Sequence, residues 1–522
     1  MQTTLFDSDA VMTLSEAANL LRVSDKTLGL MARQGRIPCQ RVGREWRFLR
    51  AAIQDWLLGR GAALAPEPSG SEIPSSGAAE AGPVPEHAIS GCRDSAFTQN
   101  RDQPLHRWVP WIAGFSASFV DGIFDSALRE APRDVTVLDP FAGVGTTLVQ
   151  ALKRGYHVLG FEINPYAYLA CRSKLYLRRY DTAVLRERID AFREFMGHVV
   201  GDAGAVPLSI PPPKFISRHT FFSPSIERQV LFTLDFIASE KSEWVADLLR
   251  VALGAQMVSF SNYTYEPSLG TRKAAGKEDV LEADVTGYIV LKLEEMADDI
   301  EHAQQDLAGF SHEQSVTLLN ESCLGAAERA TRGGASIVIT SPPYLNNYHY
   351  LRNTRPQLHW LGLMPDDQRE KLEEQSFGKY WQTVRCQPPV DLTFSYPELS
   401  RRLATLRETN RERGPYGGPG WSNYAASYFN DTYRFCQRMG ALMKPDGLMV
   451  VVIGNNILQG IEFQTDRDFA AIAEKVGFET INIHVVREKR TGSSIINSST
   501  RVGTTSATLY ETALELRWRG SA

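Results

Sequence analysis

Apolar positions along the chain fall into two patterned regions separated by an unpatterned one. Residues 11–58 combine short helical patterns with the strand-like stretch IPCQRVGREWRF, which turns at Gly43. Residues 61–86 are dominated by Gly, Ala, Pro and Ser and have almost nothing to bury. Beyond them, apolar strands and helical patterns follow one another. We predict a small unit, a flexible linker and a large α/β domain, at residues 1–60, 61–95 and 96–522.

Two short helices open the small unit. Thr13 or Ser15 can cap the first, and Ser24 can cap the second. A β-hairpin and a further helix at Ala51–Leu58 complete the pattern. The whole unit resembles the winged helix-turn-helix modules of the excisionase type, which are related to the MerR family. That resemblance implies an accessory DNA-binding module.

Arginines dominate residues 33–50 of this unit, where Glu45 is the only acid. Such a helix end and wing can lie along DNA phosphates. A solvated arginine face on a protein-binding module is the alternative. The residues expected to contact DNA here are Arg36, Arg41, Arg44 and Arg47.

In the large domain, a strand beginning at Val135 leads into DPFAGVGTT, a helix, and a second strand that ends at Glu162 in GFEINP. Gly143 and Gly145 allow close backbone approach to a ligand, and Glu162 can accept two ribose hydroxyls about 20 residues later. This β-α-β unit fits an adenosine-containing ligand. A third glycine and a pyrophosphate partner, which a dinucleotide site needs, are missing.

These two strings resemble the S-adenosylmethionine site of amino-group DNA methyltransferases. The resemblance implies that Asp139 faces the methionine amino group and that Glu162 holds the ribose. It also implies a helix over His106–Val120 that closes the methionine end, although a plain amphipathic helix fits that stretch equally. The remaining cofactor residues implied are Phe141, Ala142, Gly143, Gly145, Thr146, Asn164, Phe115 and Ser116.

A buried-looking strand, Ile337–Thr340, stops at the tetrapeptide Ser341-Pro342-Pro343-Tyr344. The prolines stiffen a loop at the carboxyl end of the strand, where open α/β sheets bind ligands. An exocyclic base amine is a poor nucleophile, and acceptors such as Ser341 Oγ and the Pro342 carbonyl can orient its lone pair. Tyr344 can stack on a base swung out of the duplex.

The tetrapeptide resembles the catalytic motif of N4-cytosine and N6-adenine DNA methyltransferases. Its serine-first form favours cytosine N4 over adenine N6, although the link has exceptions. Because the cofactor string precedes it, the motif order resembles the α or γ arrangement of these enzymes. The resemblance implies a Rossmann-like methyltransferase sheet of seven strands, and the later elements expected to complete it are Ala441–Asn456, Phe469–Val476, Glu479–Val486 and Leu509–Trp518.

Two insertions, at about 173–313 and 345–430, fall outside this sheet, and we expect them to recognise the target. In the first, the turn-rich stretch SNYTYEPSLGTRKAAGK can contact phosphates and base edges, although an ordinary surface loop is the alternative. The basic segment Arg487–Ala507 can clamp the duplex or merely solvate a long turn. The residues expected to bind DNA in the first insertion are Tyr263, Arg272, Lys273 and Lys277.

Composition narrows the remaining choices. The 522 residues carry 56 Lys+Arg against 61 Asp+Glu, so the chain is no general nucleic-acid-coating protein. No apolar run reaches the length of a bilayer span and the N-terminus lacks a signal-peptide profile, so we expect a soluble, cytoplasmic protein with no membrane partner.

The six cysteines form no C-x-x-C pair, and no metal is expected. The Pro38-Cys39 pair lies in the small unit, so a cysteine-based 5-methylcytosine mechanism is not favoured.

The leading hypothesis is therefore a site-specific methyltransferase that acts on double-stranded DNA with S-adenosylmethionine. It could belong to a restriction-modification or phage-defence system, with a cognate restriction endonuclease or other defence proteins as partners. The alternatives are a DNA-binding regulator with an inactive methyltransferase-like domain, and an RNA methyltransferase.

Overall fold

Two compact units, residues 1–82 and 83–522, make up the chain. The computed structural model describes residues 11–21, 28, 32, 37–42, 45–50, 52–53, 97–111, 114–128, 134–201, 207–213, 215–265, 269–309, 314–325, 334–345, 350–364, 368–489 and 509–520. The predicted linker at 61–95 lies outside these residues, as do Ser24 and most of the second helix predicted in the small unit.

The first unit contains helix α1 (Leu14–Leu21) and a three-stranded antiparallel sheet. Thr13 caps the helix: its Oγ1 accepts from the Glu16 N–H at 3.4 Å, and Glu16 Oε2 accepts from the Thr13 N–H at 2.8 Å. The predicted hairpin is confirmed, with Val42 paired to Glu45. Its strands are β1 (Val11–Met12), β2 (Gln40–Val42) and β3 (Glu45–Leu49), in the order β1-β3-β2.

The second unit is a mixed α/β structure. Its described strands are β4 (Thr136–Asp139), β5 (His157–Phe161), β6 (Tyr263–Tyr265), β7 (Leu269–Thr271), β8 (Val316–Leu319), β9 (Ala335–Thr340), β10 (Met443–Gly454), β11 (Asn456–Leu458), β12 (Ile461–Phe463), β13 (Phe478–Lys489) and β14 (Leu509–Trp518). Its described helices are α2 (Ala117–Ala127), α3 (Thr146–Lys153), α4 (Pro165–Leu175), α5 (Thr182–Gly201), α6 (Pro224–Ser239), α7 (Glu243–Gln256), α8 (Val285–Ala308), α9 (Tyr350–Asn353), α10 (Arg355–Trp360), α11 (Arg369–Gln375), α12 (Trp381–Val384), α13 (Pro397–Glu408), α14 (Gly418–Leu442) and α15 (Thr465–Glu474).

Seven of these strands form the central sheet in the order β13-β14-β10-β9-β4-β5-β8. Strands β8, β5, β4, β9 and β10 run parallel, whereas β14 is antiparallel to both β10 and β13. The predicted Rossmann-like sheet is thus confirmed. Because β4, β5, β8 and β9 are parallel neighbours, their carboxyl ends and the loops that follow them meet at one edge.

Both faces of this sheet are buried. On β4, Val137 packs into a core with the helices α2 to α8, while Leu138 packs into a second core with α13, α14 and α15. Neighbouring strand residues point to opposite faces, so a strand covered on both sides is continuously apolar. This explains why Val137–Leu138 and Ile337–Ile339 are consecutive apolar residues in the sequence, with no alternation.

The predicted helix over His106–Val120 is only partly present. A short 3₁₀ turn spans His106–Trp108, and α2 begins at Ala117. Between them Val109 is extended, with φ −126° and ψ 121°. The reason is Pro110, because a proline disfavours the helical conformation of the residue before it.

Within the described part of the chain, no helix combines the length and apolar character needed to cross a membrane.

Candidate functional site

The loops that follow β4, β5, β8 and β9 surround one cleft. Gly143 and Glu162 line it, as do Ser341, Pro343 and Tyr344. The cleft encloses about 1050 Å³ of space outside protein atoms, counted to its open mouth. Two loops some 200 residues apart in sequence therefore share one site.

The loop after β4 presents its backbone to the cleft. Gly143 and Gly145 have φ values of +53° and +91°, a region that residues with a side chain rarely adopt. A Cβ on Gly143 would lie 3.3 Å from Trp111 Nε1, and one on Gly145 would lie 2.8 Å from Cys171 Sγ. Gly143 thus keeps the cleft open, while Gly145 allows close packing of the loop on α4. Ala142 and Thr146, also predicted cofactor residues, are buried beside these glycines and are not among the residues that line the cleft.

Glu162 lies at the tip of β5, where its carboxylate organises two loops. Oε2 accepts from the Gly143 N–H and Oε1 from the Asn164 N–H, both at 2.7 Å. Burial raises the pKa of Glu162 to about 7, against the opposing effect of these two hydrogen bonds. Each carboxylate oxygen can accept more than one hydrogen bond, so capacity for a ligand hydroxyl remains.

Asp139, at the end of β4, is placed behind the cleft. It is 2% exposed, and its Oδ1 accepts from Thr340 Oγ1 at 2.7 Å and from the Phe141 N–H at 3.1 Å. Burial raises its pKa to about 6. The side chain thus joins the end of β4 to the end of β9, and the expectation that Asp139 faces the methionine amino group stays a prediction.

The tetrapeptide after β9 presents side chains to the cleft. Ser341 and Tyr344 both line it, and the Ser341 side chain lies near the Tyr344 hydroxyl. Burial raises the pKa of Tyr344, so its phenol remains protonated at neutral pH. The ring lies close to Gly454 on β10, where a Cβ would be 3.4 Å from Tyr344 Cε2. Pro342 is buried, and Pro343 forms part of the cleft wall.

Other walls of the cleft were not foreseen. Glu321, Ser322 and Cys323 follow β8, and the rule that ligands bind at the carboxyl ends of parallel strands could have indicated them. The segment Phe377–Tyr380, in the second insertion, packs over the cofactor loop through the Phe141 and Phe377 rings, whose centroids are 5.3 Å apart. No sequence pattern pointed to this last contact.

Phe115 and Ser116 do not line the cleft. Phe115 is 6% exposed in the core, and Ser116 caps α2 by accepting from the Phe119 N–H at 3.2 Å. Trp111, from the same stretch, lines the cleft in their place. Asn164 also lines it and caps α4, and its Nδ2 donates to Thr354 Oγ1 at 2.7 Å.

The predicted DNA-binding residues of the first insertion lie around the β6–β7 hairpin. Tyr263 is 9% exposed, and its hydroxyl donates to the His219 carbonyl at 3.3 Å, so it supports the hairpin from inside. Arg272 Nε donates to the Glu278 carbonyl at 2.7 Å. Lys273 and Lys277 are exposed, and Lys273 is 2.9 Å from Asp279. The DNA-binding prediction thus rests on the lysines and Arg272.

In the first unit, Arg47 lies on β3 and is half-buried, with Nη1 donating to the Trp46 carbonyl at 3.1 Å. Arg41 belongs to β2. Arg36 and Arg44 lie outside the described residues, as do residues 490–507 of the predicted basic segment.

Comparison with known proteins gives matches for both units. Residues 11–61 match the family model of a helix-turn-helix domain. The type II methyltransferase M.BsoBI of Geobacillus stearothermophilus is 24% identical and aligns with 76% of this chain and 83% of its own length. M.AvaI of Nostoc sp. is 23% identical over 78% of this chain and 85% of its own. An rRNA methyltransferase structure from Streptomyces viridochromogenes aligns with 78% of this chain and 87% of that chain, at 10% identity and a TM-score of 0.28.

The chain is therefore of the methyltransferase class, with a helix-turn-helix module at its N-terminus. Among known proteins, its large unit is similar to the type II methyltransferases M.BsoBI and M.AvaI.

Proposed function

We propose that this protein methylates double-stranded DNA on the exocyclic amine of a base swung out of the duplex, and that the base is cytosine and the atom N4. The observation that carries the proposal is the cleft shared by Gly143 and Glu162 with Ser341 and Tyr344. A methyl donor and a target amine must meet within a few ångströms for direct transfer. The two loops provide facing walls for such a meeting.

The cleft fits S-adenosylmethionine as the methyl donor. Its walls combine apolar surface with a carboxylate at the tip of β5, and the missing Cβ of Gly143 leaves room beside Trp111. Glu162 would hold the ribose hydroxyls, and the Phe141–Gly145 backbone would lie along the ligand. The residues of the β8 loop, Glu321 to Cys323, would complete the wall next to Glu162.

The bound donor supplies a methyl group on a sulfonium, which an amine nitrogen can attack directly. Ser341 Oγ and the Pro342 carbonyl would accept the two amine hydrogens and so orient the nitrogen lone pair. Tyr344 would stack on the base beside Ser341, which lines the same cleft. The serine at the first position of the tetrapeptide supports cytosine N4 over adenine N6.

The curated relatives support DNA as the substrate, since both are named type II methyltransferases. The helix-turn-helix unit supports the same substrate, and its arginines would add contacts to phosphates. We place the protein in the cytoplasm, within a restriction-modification or defence system. Its protein partner would be a cognate endonuclease or another defence protein.

Transfer of a labelled methyl group tests the proposal. The purified chain is incubated with labelled S-adenosylmethionine and either duplex DNA or RNA, and the nucleosides are then identified by mass spectrometry. We expect label in DNA as N4-methylcytosine and none with Ser341→Ala. N6-methyladenine would correct the base, label in RNA alone would replace the substrate, and no label in any nucleic acid would favour a DNA-binding regulator.

A further inference from the structure

A second, smaller cavity adjoins the cleft. Trp111 and Tyr350 line both cavities, so the two spaces meet at these side chains. Two more aromatic rings, Tyr166 and Tyr265, form further walls of the smaller cavity, and Gln357 contributes an amide. None of the described residues that line it carries a charge. Four aromatic rings and the amides of Gln357 and Asn353 thus line a space beside the cofactor loop.

The amide of Gln357 has a fixed orientation. Its Nε2 donates to the Gly254 carbonyl at 3.1 Å and to the Tyr265 hydroxyl at 3.2 Å. Turning the amide over would place oxygen against the Gly254 oxygen, which can only accept. Gln357 is 4% exposed, and its Oε1 has no hydrogen-bond partner among the described residues. A buried acceptor without a donor is costly, so the site favours a ligand that brings an N–H group.

Aromatic rings favour a particular kind of N–H donor. The faces of Trp and Tyr rings attract cations, most strongly where water is excluded. A primary ammonium therefore suits this cavity, because it donates to Oε1 and places its charge against the rings.

The amino-acid end of S-adenosylmethionine carries such an ammonium and needs an acceptor. Asp139 is 2% exposed and is not among the described residues that line the cleft, and its Oδ1 already accepts from Thr340 and the Phe141 N–H, whereas Gln357 Oε1 accepts from no donor among the described residues. The route to the smaller cavity leads past Trp111, which also lies over Gly143 of the cofactor loop.

We propose that the cavity formed by Trp111, Tyr166, Tyr265, Tyr350 and Gln357 binds the α-ammonium of the methyl donor, with Gln357 Oε1 as its acceptor. The proposal rests on the proposed function, because it takes S-adenosylmethionine as the ligand of the adjoining cleft. It assigns the discrimination between an amino-acid tail and a bare nucleoside to residues of α4, β6, α9 and α10.

Calorimetric binding of two ligands tests this assignment without turnover. The ligands are S-adenosylhomocysteine and its analogue in which hydrogen replaces the α-amino group. The wild-type chain is expected to bind the deaminated analogue about tenfold more weakly, the size of one hydrogen bond to a charged group. Gln357→Leu removes the acceptor, so its two affinities should differ by less than about twofold.

Gln229→Leu is the matched control, because Gln229 also donates from Nε2 to a backbone carbonyl, that of Ala283 at 3.1 Å, and does not line either cavity. It should keep the full preference for the amino group. If Gln357→Leu fails to fold, Gln357→Met removes the same acceptor with a more adaptable side chain and should abolish the preference in the same way.

An unchanged amino-group preference in either Gln357 variant would overturn the assignment, as would a loss of duplex DNA affinity with that preference intact. The latter result would place a nucleobase in the cavity. If the wild-type chain bound neither ligand, the proposed function itself would fail, whereas binding with no role for Gln357 would sink only this inference.

Discussion

The loops after β4 and β9 meet in one cleft but are built on opposite principles. The loop after β4 carries two glycines at positive φ and offers backbone to the cleft, with its acid, Asp139, turned inward. The loop after β9 carries two prolines and offers the side chains of Ser341 and Tyr344. One loop is shaped to let a ligand approach closely, and the other is shaped to place functional groups.

This difference predicts different consequences of mutation. Side chains of the β9 loop can be removed without changing the backbone that supports them, so substitutions there should affect chemistry more than ligand binding. In the β4 loop the backbone itself is the functional part. Substitutions there should affect folding and cofactor binding together.

The largest expected effect is on turnover. Ser341→Ala and Tyr344→Ala should each lower kcat by about 100-fold or more, because one removes an acceptor for the amine and the other removes the stacking surface. Affinity for S-adenosylhomocysteine, measured by calorimetry, should stay within about twofold of wild type. A large loss of that affinity would show that the β9 loop also holds the cofactor.

Tyr344→Phe separates the ring from the hydroxyl. It keeps the stacking surface and removes the hydroxyl that lies near Ser341. We expect a smaller loss of kcat, about tenfold, measured under the same conditions. A loss as large as that of Tyr344→Ala would assign the main role to the hydroxyl.

The next largest effect is expected on stability and cofactor affinity when a glycine of the β4 loop is replaced. Gly145→Ala forces a side chain into φ +91° and against Cys171 Sγ at 2.8 Å, and should lower the free energy of unfolding by about 2–3 kcal/mol. Affinity for S-adenosylhomocysteine should fall about tenfold. Gly122→Ala in α2 is the matched control, since nothing lies within 4 Å of its Cβ position, and it should be neutral or slightly stabilising. Equal behaviour of the two variants would remove the packing argument.

Glu162, which accepts a hydrogen bond from the Gly143 N–H of the β4 loop, predicts a pH dependence of stability and of cofactor affinity. Burial raises the pKa of Glu162 from the ordinary value of 4.5 to about 7, so burial favours the protonated acid in the folded protein. The contribution of Glu162 to stability is thus present below pH 4.5 and is lost as the pH rises through 7. The carboxylate is the better acceptor for ribose hydroxyls, so cofactor affinity should increase several-fold between pH 6 and pH 8, as a rough expectation.

Glu162→Gln removes this titration. Its cofactor affinity should be weaker and nearly independent of pH over the same range, and its apo form should lose less stability on going from pH 6 to pH 8. A wild-type pH profile in the variant would show that another group controls binding.

Sequence predicted the motif-bearing parts of this molecule well, for identifiable reasons. Val137–Leu138 and Ile337–Ile339 are consecutive apolar residues because both faces of their strands are covered, and glycine or proline marks the loop after each strand. β4 and β9 run parallel, so the loops that follow them lie at the same edge of the sheet. Gly143 and Ser341 therefore line one cleft. The tip position of Glu162 follows in the same way.

Predictions were weaker where packing decides the role of a side chain. Asp139 and Ser116 were expected to bind the cofactor, but one joins two strand ends and the other caps a helix. Trp111 replaced Phe115 because Pro110 breaks the expected helix and redirects the chain. Phe377–Tyr380 reaches the cleft from a distant insertion, and no local pattern encodes such a contact.

The smallest expected effect is on DNA binding. Neither the Pro140–Gly145 loop nor the Ser341–Tyr344 loop contains a basic residue that could contact phosphates. Duplex affinity should therefore depend on residues outside both loops, such as Lys273 and Lys277, which are exposed beyond the β6–β7 hairpin. Lys273→Ala and Lys277→Ala should each weaken duplex binding about two- to fourfold and reduce the salt slope by roughly one, without changing cofactor affinity.

Tyr263→Phe is the control, since its hydroxyl donates to the His219 carbonyl inside the hairpin and should matter for stability alone. Fluorescence anisotropy over a salt series measures all three. If the salt dependence of binding is unchanged in both lysine variants, DNA binding belongs to other surfaces. If it decreases while cofactor affinity does not change, DNA affinity depends on residues outside the two loops.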